Sequence, residues 1–351
     1  QPITSIILNG KLTLVFTNGW SQPLFATANG DGSWDWYDIR GAGDEPWVDG
    51  ATATWQDKRD LHTYVAIRGE QGLLLFREDT PGQWSYRNLS DEIVDSLFIS
   101  NDIELIFDPM NRAVLAGTSD AGELIIYSQL LKKVNGQYKW TFRNISEKDV
   151  ENRGLEMPYV ASELVSWVTP NKTCNLSFLD FDGNIQIFYK VKGKLRWQMQ
   201  NLTEVTGTAP LMGEITVFQT PRNGGVHISG TAEDGHLWVT SYTKRGGWWG
   251  RDLTRRLHGY GFQIQTITTY QNRAGINFVI GVKDDGRISA YRYLASRNAW
   301  KKVNLNLSAP AYKNIDGRLT VAVDKVSGEI NVISTLNTYH LVRWYWRPGQ
   351  G

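Results

Sequence analysis

The sequence is poor in the features that mark the commoner chemistries. Cys174 is its only cysteine, which excludes an intrachain disulfide and any zinc site built on paired thiolates, so the fold must hold by burial. No apolar run approaches the roughly 20 residues that a helix needs to cross a bilayer, and no direct membrane span is expected. The 37 Lys and Arg nearly balance the 36 Asp and Glu, and a formal net charge of +1 gives no pull toward nucleic acid. His62, His227, His236, His258 and His340 are scattered, with neither an i, i+4 pair nor a His-Glu-x-x-His spacing, so no metal and no cofactor are expected. There is no Gly-x-Ser-x-Gly elbow, and the glycines follow hairpin logic rather than that of a phosphate cradle. Asp180, Asp182, Glu233 and Asp234 could serve an acid–base pair or Ca²⁺, but acids of this kind are commonplace in turns. No residue is assigned to catalysis.

What is present is repetition. A chain of 351 residues exceeds the size at which one layered core stops growing, while 41% apolar and 21% charged residues suit a well-packed globular protein. It opens at Gln1 without a Met or charged leader, as a processed or trimmed chain would. The pattern Trp, three residues, Asn or Asp, then Leu or Ile begins at Trp34, Trp84, Trp140, Trp197, Trp248 and Trp300, at intervals of 50, 56, 57, 51 and 52 residues. That period suits one blade of a propeller. Sequons at Asn88, Asn144, Asn171, Asn175, Asn201 and Asn306 allow glycans in a secretory pathway, yet four fall in or beside this motif, which favours repeat chemistry.

The motif reads as an edge strand ending in a turn. Alternation puts Trp84, Tyr86 and Asn88 on one face, expected to pack, and Ser85 and Arg87 on the other, expected to be wetter. The closing Asn or Asp can bond its own downstream backbone, with Ser90, Ser146, Thr203 and Thr254 as weaker hydroxyl partners. Upstream of each Trp a glycine turn precedes an apolar strand: Gln71-Gly72-Leu73, Gly122-Glu123-Leu124, Asp182-Gly183-Asn184-Ile185, Asp234-Gly235-His236-Leu237 and Asp285-Gly286-Arg287-Ile288. Counting further β-rich runs gives four short strands per repeat. In the first repeat they lie near 4–8, 12–17, 23–28 and 34–39. The last repeat offers only 319–324, 329–335 and 339–346 before the sequence stops.

Such units have two apolar faces and bury both by radial stacking. The expected fold is all-β: one domain over 1–351, a closed seven-bladed β-propeller of four-stranded antiparallel blades with an incomplete last blade, six blades being the alternative. Repeats run approximately 1–40, 41–90, 91–146, 147–203, 204–254, 255–305 and 306–351. The last blade would be completed by its own tail, by trimmed residues or by a protein partner, for which apolar Trp344, Tyr345 and Trp346 are suggestive.

At Asp234-Gly235-His236-Leu237-Trp238, followed by Gly246-Gly247-Trp248 and Asp252-Leu253, the chain resembles lectin-like propellers of the tachylectin-2 and bacterial fucose-lectin type. The likeness is one of repeat style over nearly the whole chain, and only the fifth repeat carries the fuller motif. It implies binding of a glycan or polysaccharide in shallow pockets between blades, an aromatic face stacking on the sugar, at sites that recur from blade to blade. Trp20, Trp47, Trp55, Trp238 and Trp249 are the indoles beyond the motif best suited to this.

Residues 244–260 form a basic and aromatic patch; its Trp249, Arg251, Arg255, Arg256, His258 and Tyr260, together with His236 and Trp238 upstream of it, are the candidate ligand-binding residues. Arginine forks there suit an acidic sugar or a partner's carboxylates. An acidic, aromatic stretch at 44–60 reads as another rim loop. The leading expectation is a noncatalytic carbohydrate-binding module outside the cytoplasm. A scaffold subunit of a larger complex and a polysaccharide lyase or glycoside hydrolase are the alternatives, because one fold hosts all three.

Overall fold

The computed structural model describes residues 3–8, 11–18, 20–29, 33–40, 46–70, 72–191, 193–194, 196–220, 224–264, 266–272, 274–303, 319–323, 330–336 and 340–346. The first sheet is formed by Ile3–Leu8, Lys11–Thr17, Pro23–Ala28 and Trp34–Asp38, and the second by Val48–Gln56, Thr63–Gly69, Gly72–Thr80 and Gln83–Asn88. The third comprises Glu104–Phe107, Ala113–Thr118, Leu124–Val134 and Gln137–Asn144, and the fourth Val165–Val168, Cys174–Leu179, Ile185–Lys190 and Gln198–Asn201. Leu211–Gln219, Val226–Ala232, Leu237–Thr243 and Gly247–Asp252 make the fifth; Ile267–Gln271, Asn277–Val282, Ile288–Leu294 and Ala299–Val303 make the sixth. Thr320–Val323, Ile330–Leu336 and His340–Trp346 pair as a three-stranded sheet. Strands are neighbours in chain order throughout, so six antiparallel four-stranded meanders recur as in a β-propeller. The strands expected in the first repeat match those observed to within a residue. Asn304, Leu305, Asn306, Gln71, Asp44 and Glu45 lie outside the described residues.

The chain divides into two compact units. The first contains residues 1–160, 171–175 and 189–198; the second contains 161–170, 176–188 and 199–351. In the first, Val15, Phe25, Ile67 and Phe76 form one buried cluster, and Trp55, Leu75, Leu115 and Tyr127 belong to another. In the second, Phe218, Val239, Phe262 and Tyr291 pack together, as do Phe278, Ile280, Ala290 and Val332.

The recurring motif proves to be a clasp. Its Asn or Asp caps a short helix: Asn88 opens α1 (Leu89–Glu92), Asn201 opens α2 (Leu202–Thr206) and Asp252 opens α3 (Leu253–Leu257). The side-chain oxygens accept from Ser90, Glu204 and Arg255 N–H at 3.0, 3.2 and 2.8 Å. The next residue is a plug: Leu89, Ile145, Leu202 and Leu253 are buried, each contributing on the order of 1.5–3 kcal/mol. The hydroxyls expected to assist the turn act elsewhere. Ser90, Ser146, Thr203 and Thr254 accept from the backbone N–H of Leu73, Leu124, Ile185 and Leu237 at 3.0, 2.7, 2.8 and 2.9 Å. Each ties the end of the outer strand to the start of the third strand in its own repeat. The glycine turn before that strand holds φ near +77° at Gly183 and +78° at Gly235, the left-handed region that favours glycine.

The outer strands lack the simple wet and dry faces expected of them. Tyr86 is exposed, whereas Arg87 is half-buried, donating to the Tyr138 carbonyl at 3.0 Å and to Glu92 at 2.8 Å. The reason is that both faces meet neighbours, so arginine stems serve as packing and their heads need partners.

Candidate functional site

The fifth sheet sorts the candidate residues by face. Trp238 registers with Asp252 and Tyr242 with Trp248, while Val239 registers with Arg251 and Ser241 with Trp249. Residues in register share a face and successive residues alternate, so Trp238 and Trp248 point one way and Trp249 and Arg251 the other. On the first face Thr240 Oγ1 lies 2.8 Å from Thr208 Oγ1, and a Cβ on Gly250 would collide with Thr208. His236 and Trp238 belong here, with His236 Nδ1 2.8 Å from Asp252 Oδ2. They are not brought together with Trp249.

On the second face, His227 is buried beside Phe218, Tyr293 and Trp300, at ring distances of 4.6, 4.2 and 5.9 Å. Its Nδ1 is 2.8 Å from Ser241 Oγ, and burial pushes the imidazole down to about 3. Toward the rim, the Arg251 guanidinium lies 4.6 Å over the Trp249 ring. Burial, and then the Arg256 charge, lower Arg251 from its ordinary value. Arg255 and Arg256 follow, exposed, in the last turn of α3. Among the described residues no carboxylate lies within ion-pair distance of Arg251, Arg255 or Arg256.

The other repeats show what is unusual about this arrangement. Arg251 stands three residues after Trp248, as Arg87 does after Trp84 and Arg143 after Trp140. Arg87 is neutralised by Glu92, four residues beyond the capping Asn88, and Arg143 by Asp149, 2.6 Å away. The acids stand four residues beyond the cap in the second repeat and five beyond it in the third; the corresponding positions after Asp252 are Arg256 and Leu257, so neither supplies an acid and one supplies a second cation.

Past α3 the chain turns at His258, in the left-handed region with φ 45°, and the His258 carbonyl accepts from Lys302 Nζ at 2.9 Å. The ammonium groups of Lys283 and Lys302 each lie 4.9 Å from the Tyr260 ring. These two lysines escaped the sequence reading because they belong to the sixth repeat. Only the expectation that adjacent repeats pack together pointed toward that strand.

Trp55 falls into the core, stacked on Tyr64 at 5.3 Å. Trp20 and Trp47 are 77% and 46% exposed, on segments joined by the Val48 N–H donating to the Ser21 carbonyl at 3.3 Å. The turn acids close their own turns: Asp180 Oδ1 accepts from the Asp182 and Asn184 N–H groups, and Asp234 Oδ1 from that of His236. Among the described residues no group of three or more His, Cys, Asp and Glu is arranged to hold a metal ion, and no helix is long and apolar enough to cross a membrane.

Repeated four-stranded antiparallel meanders place the chain with the β-propellers. Solved structures like it include AofleA from Arthrobotrys oligospora, 13% identical over 86% of this chain and 84% of that chain, with a TM-score of 0.53. BBS1N, solved in complex with ARL6DN, is 13% identical over 99% of this chain and 91% of that one, with a TM-score of 0.56. The fucose-recognising lectin of Aleuria aurantia, a six-bladed β-propeller, is 14% identical over 99% and 92%, with a TM-score of 0.48. At such identities the first two likenesses show the fold. No protein-family model matches the chain, and no curated protein does.

Proposed function

We propose that the chain is a noncatalytic, lectin-like module of seven blades, acting outside the cytoplasm, that binds an anionic glycan on the rim between its fifth and sixth sheets. The observation that carries this reading is the missing acid. Equivalent arginines in the second and third repeats have a cap carboxylate, whereas Arg251 has an aromatic ring beneath it and Arg256 beside it. Like charges held together without a counter-ion favour an incoming carboxylate or sulfate, which guanidinium forks bind in two-point fashion. Trp249 and Tyr260 supply rings for the apolar side of a sugar. A printed glycan array probed at physiological salt tests this. Uronic, sialic or sulfated glycans are expected to bind, and replacing Arg251, Arg255 and Arg256 together by Gln is expected to weaken them at least about tenfold. Unchanged binding by the triple variant overturns the site. A stable larger assembly in the native source, with no glycan bound, replaces the reading with that of a scaffold subunit whose partner covers the last blade.

A further inference from the structure

A cavity of about 240 Å³, separate from the rim, lies wholly within the first unit. It is bounded by the turn at Asp108–Arg112, by Lys172 and Cys174, and by Lys190 and the segment ending at Trp197. None of its lining belongs to the basic rim of the fifth repeat.

Its chemistry is lopsided. Ile106, Met110, Val114 and Trp197 make an apolar wall. Asp108 is the single acid of the lining, and it is already satisfied: Oδ1 accepts from the Met110 and Arg112 N–H groups at 2.9 Å each, and Oδ2 from Arg112 Nε at 2.7 Å. With Arg112 balanced by Asp108, Lys172, Lys190 and Lys194 remain as surplus positive charge. Lys172 and Lys194 are exposed, but Lys190 is half-buried and has no hydrogen-bond or ion-pair partner among the described residues. Burial, and then the charge of Arg143, lower the Lys190 ammonium from its ordinary value, against a smaller opposing pull from Asp149. A cation kept partly out of water with no ion-pair partner among the described residues, and only a distant opposing charge at Asp149, gains when an anion arrives. A sugar is a poor fit, since its hydroxyls would face aliphatic wall and a carboxylate already in use.

We propose that this cavity binds a small organic anion with an apolar body, such as a medium-chain carboxylate. The carboxylate sits on Lys190 Nζ and the chain lies against Ile106, Val114 and Trp197. The volume is below the roughly 300–1,000 Å³ typical of drug-sized sites, which restricts the ligand to a short chain or a single ring.

Cys174 makes the test site-specific, because it is the only cysteine and lines this cavity. Burial, with Asp108, pushes its thiol up to about 11, so modification by N-ethylmaleimide is slow and sensitive to what lies over it. The full chain is incubated with N-ethylmaleimide and increasing octanoate, octanol or L-fucose, and adduct formation is followed by intact mass. Octanoate is expected to protect Cys174 saturably, with octanol at least about tenfold weaker and fucose without effect. In Lys190→Gln the octanoate curve, scaled to the variant's own unliganded rate, is expected to move onto that of octanol, while the melting temperature stays at the wild-type value; the unliganded rate itself falls, because the Lys190 charge holds the Cys174 thiol down. Ligand-observed NMR titration with octanoate provides an independent reading of affinity. Equal protection by octanol or fucose, equal octanoate affinity in Lys190→Gln, or no saturable octanoate binding to the wild type overturns the proposal. None of these results bears on the rim arginines, so the two sites stand or fall separately.

Discussion

The Nδ1 of His236 stands 2.8 Å from Oδ2 of Asp252, while Oδ1 of the same carboxylate accepts from the Arg255 N–H at 2.8 Å. One side chain therefore ties the turn before the third strand to α3, the helix that carries Arg255 and Arg256. Asp252→Ala is expected to cost about 1 kcal/mol through loss of the cap and to weaken anionic-glycan binding, whereas Asp252→Asn keeps most of the cap. Urea unfolding of the two variants separates them; equal losses would mean that the cap contributes little.

Swapping a repeat's chemistry tests the missing acid directly. Arg256→Glu recreates the Arg87–Glu92 arrangement of the second repeat, giving Arg251 a carboxylate within its own cap. Stability is expected to stay within about 0.5 kcal/mol, as for an exposed pair, while binding of anionic glycans falls further than in Arg256→Gln. Calorimetric titration with the best array ligand measures both variants. Equal affinities would indicate that Arg251 is not a ligand-facing group.

The clasp hydroxyls carry more than their size suggests. Ser146 and the Leu124 that donates to it are both buried, so Ser146→Ala leaves a backbone N–H unpaired away from water. A loss of about 1–3 kcal/mol is expected, against less than about 0.5 kcal/mol for Lys148→Ala on the same turn's surface. Chemical denaturation at one pH suffices to compare them.

His227 predicts an acid sensitivity with a definite sign. An unfolded histidine titrates near 6.5, while burial holds the native one down to about 3, so between those values the unfolded chain binds more protons. This contribution to stability is fully present above about pH 6.5 and is lost as pH falls toward 3, by at most about 1.4 kcal/mol per pH unit. In His227→Gln the dependence of unfolding free energy on pH from 6 to 4 should flatten by that amount. An unchanged slope would show that the ring is hydrated.

Gly259 is required for a reason other than backbone freedom. A Cβ there would overlap the Tyr291 hydroxyl, which donates to the Tyr260 carbonyl at 2.9 Å. Gly259→Ala is expected to destabilise by about 1–3 kcal/mol, and the double variant with Tyr291→Phe to recover part of that loss. Melting curves of the three variants give the coupling; strict additivity would remove the clash as the cause.

Strand positions were readable because alternation, glycine turns and the tryptophan period agree with one another, as between 12–17 and Lys11–Thr17. The role of the motif was half readable. A polar residue before a buried Leu announces a cap, but that Ser90 or Thr254 reaches a strand about 17 residues earlier depends on register, which no local pattern states. The candidate site suffered from the same limit. Trp238 and Trp249 look adjacent in sequence and belong to opposite faces, because pairing Trp238 with Asp252 decides the matter. Lys283, Lys302 and the Lys190 cavity come from contacts between repeats, where linear distance carries no information.

The clasp is also short in the sequence: its donors and acceptors are 17, 22, 18 and 17 residues apart. Each of these four repeats thus carries its own fastening, and a tandem copy of one of them inserted by duplication would arrive already able to shut its rim. What such a copy would have to acquire afterwards is individuality. In the fifth repeat that individuality amounts to Arg256 at the place where the second repeat carries Glu92, and the glycan site proposed above depends on that difference.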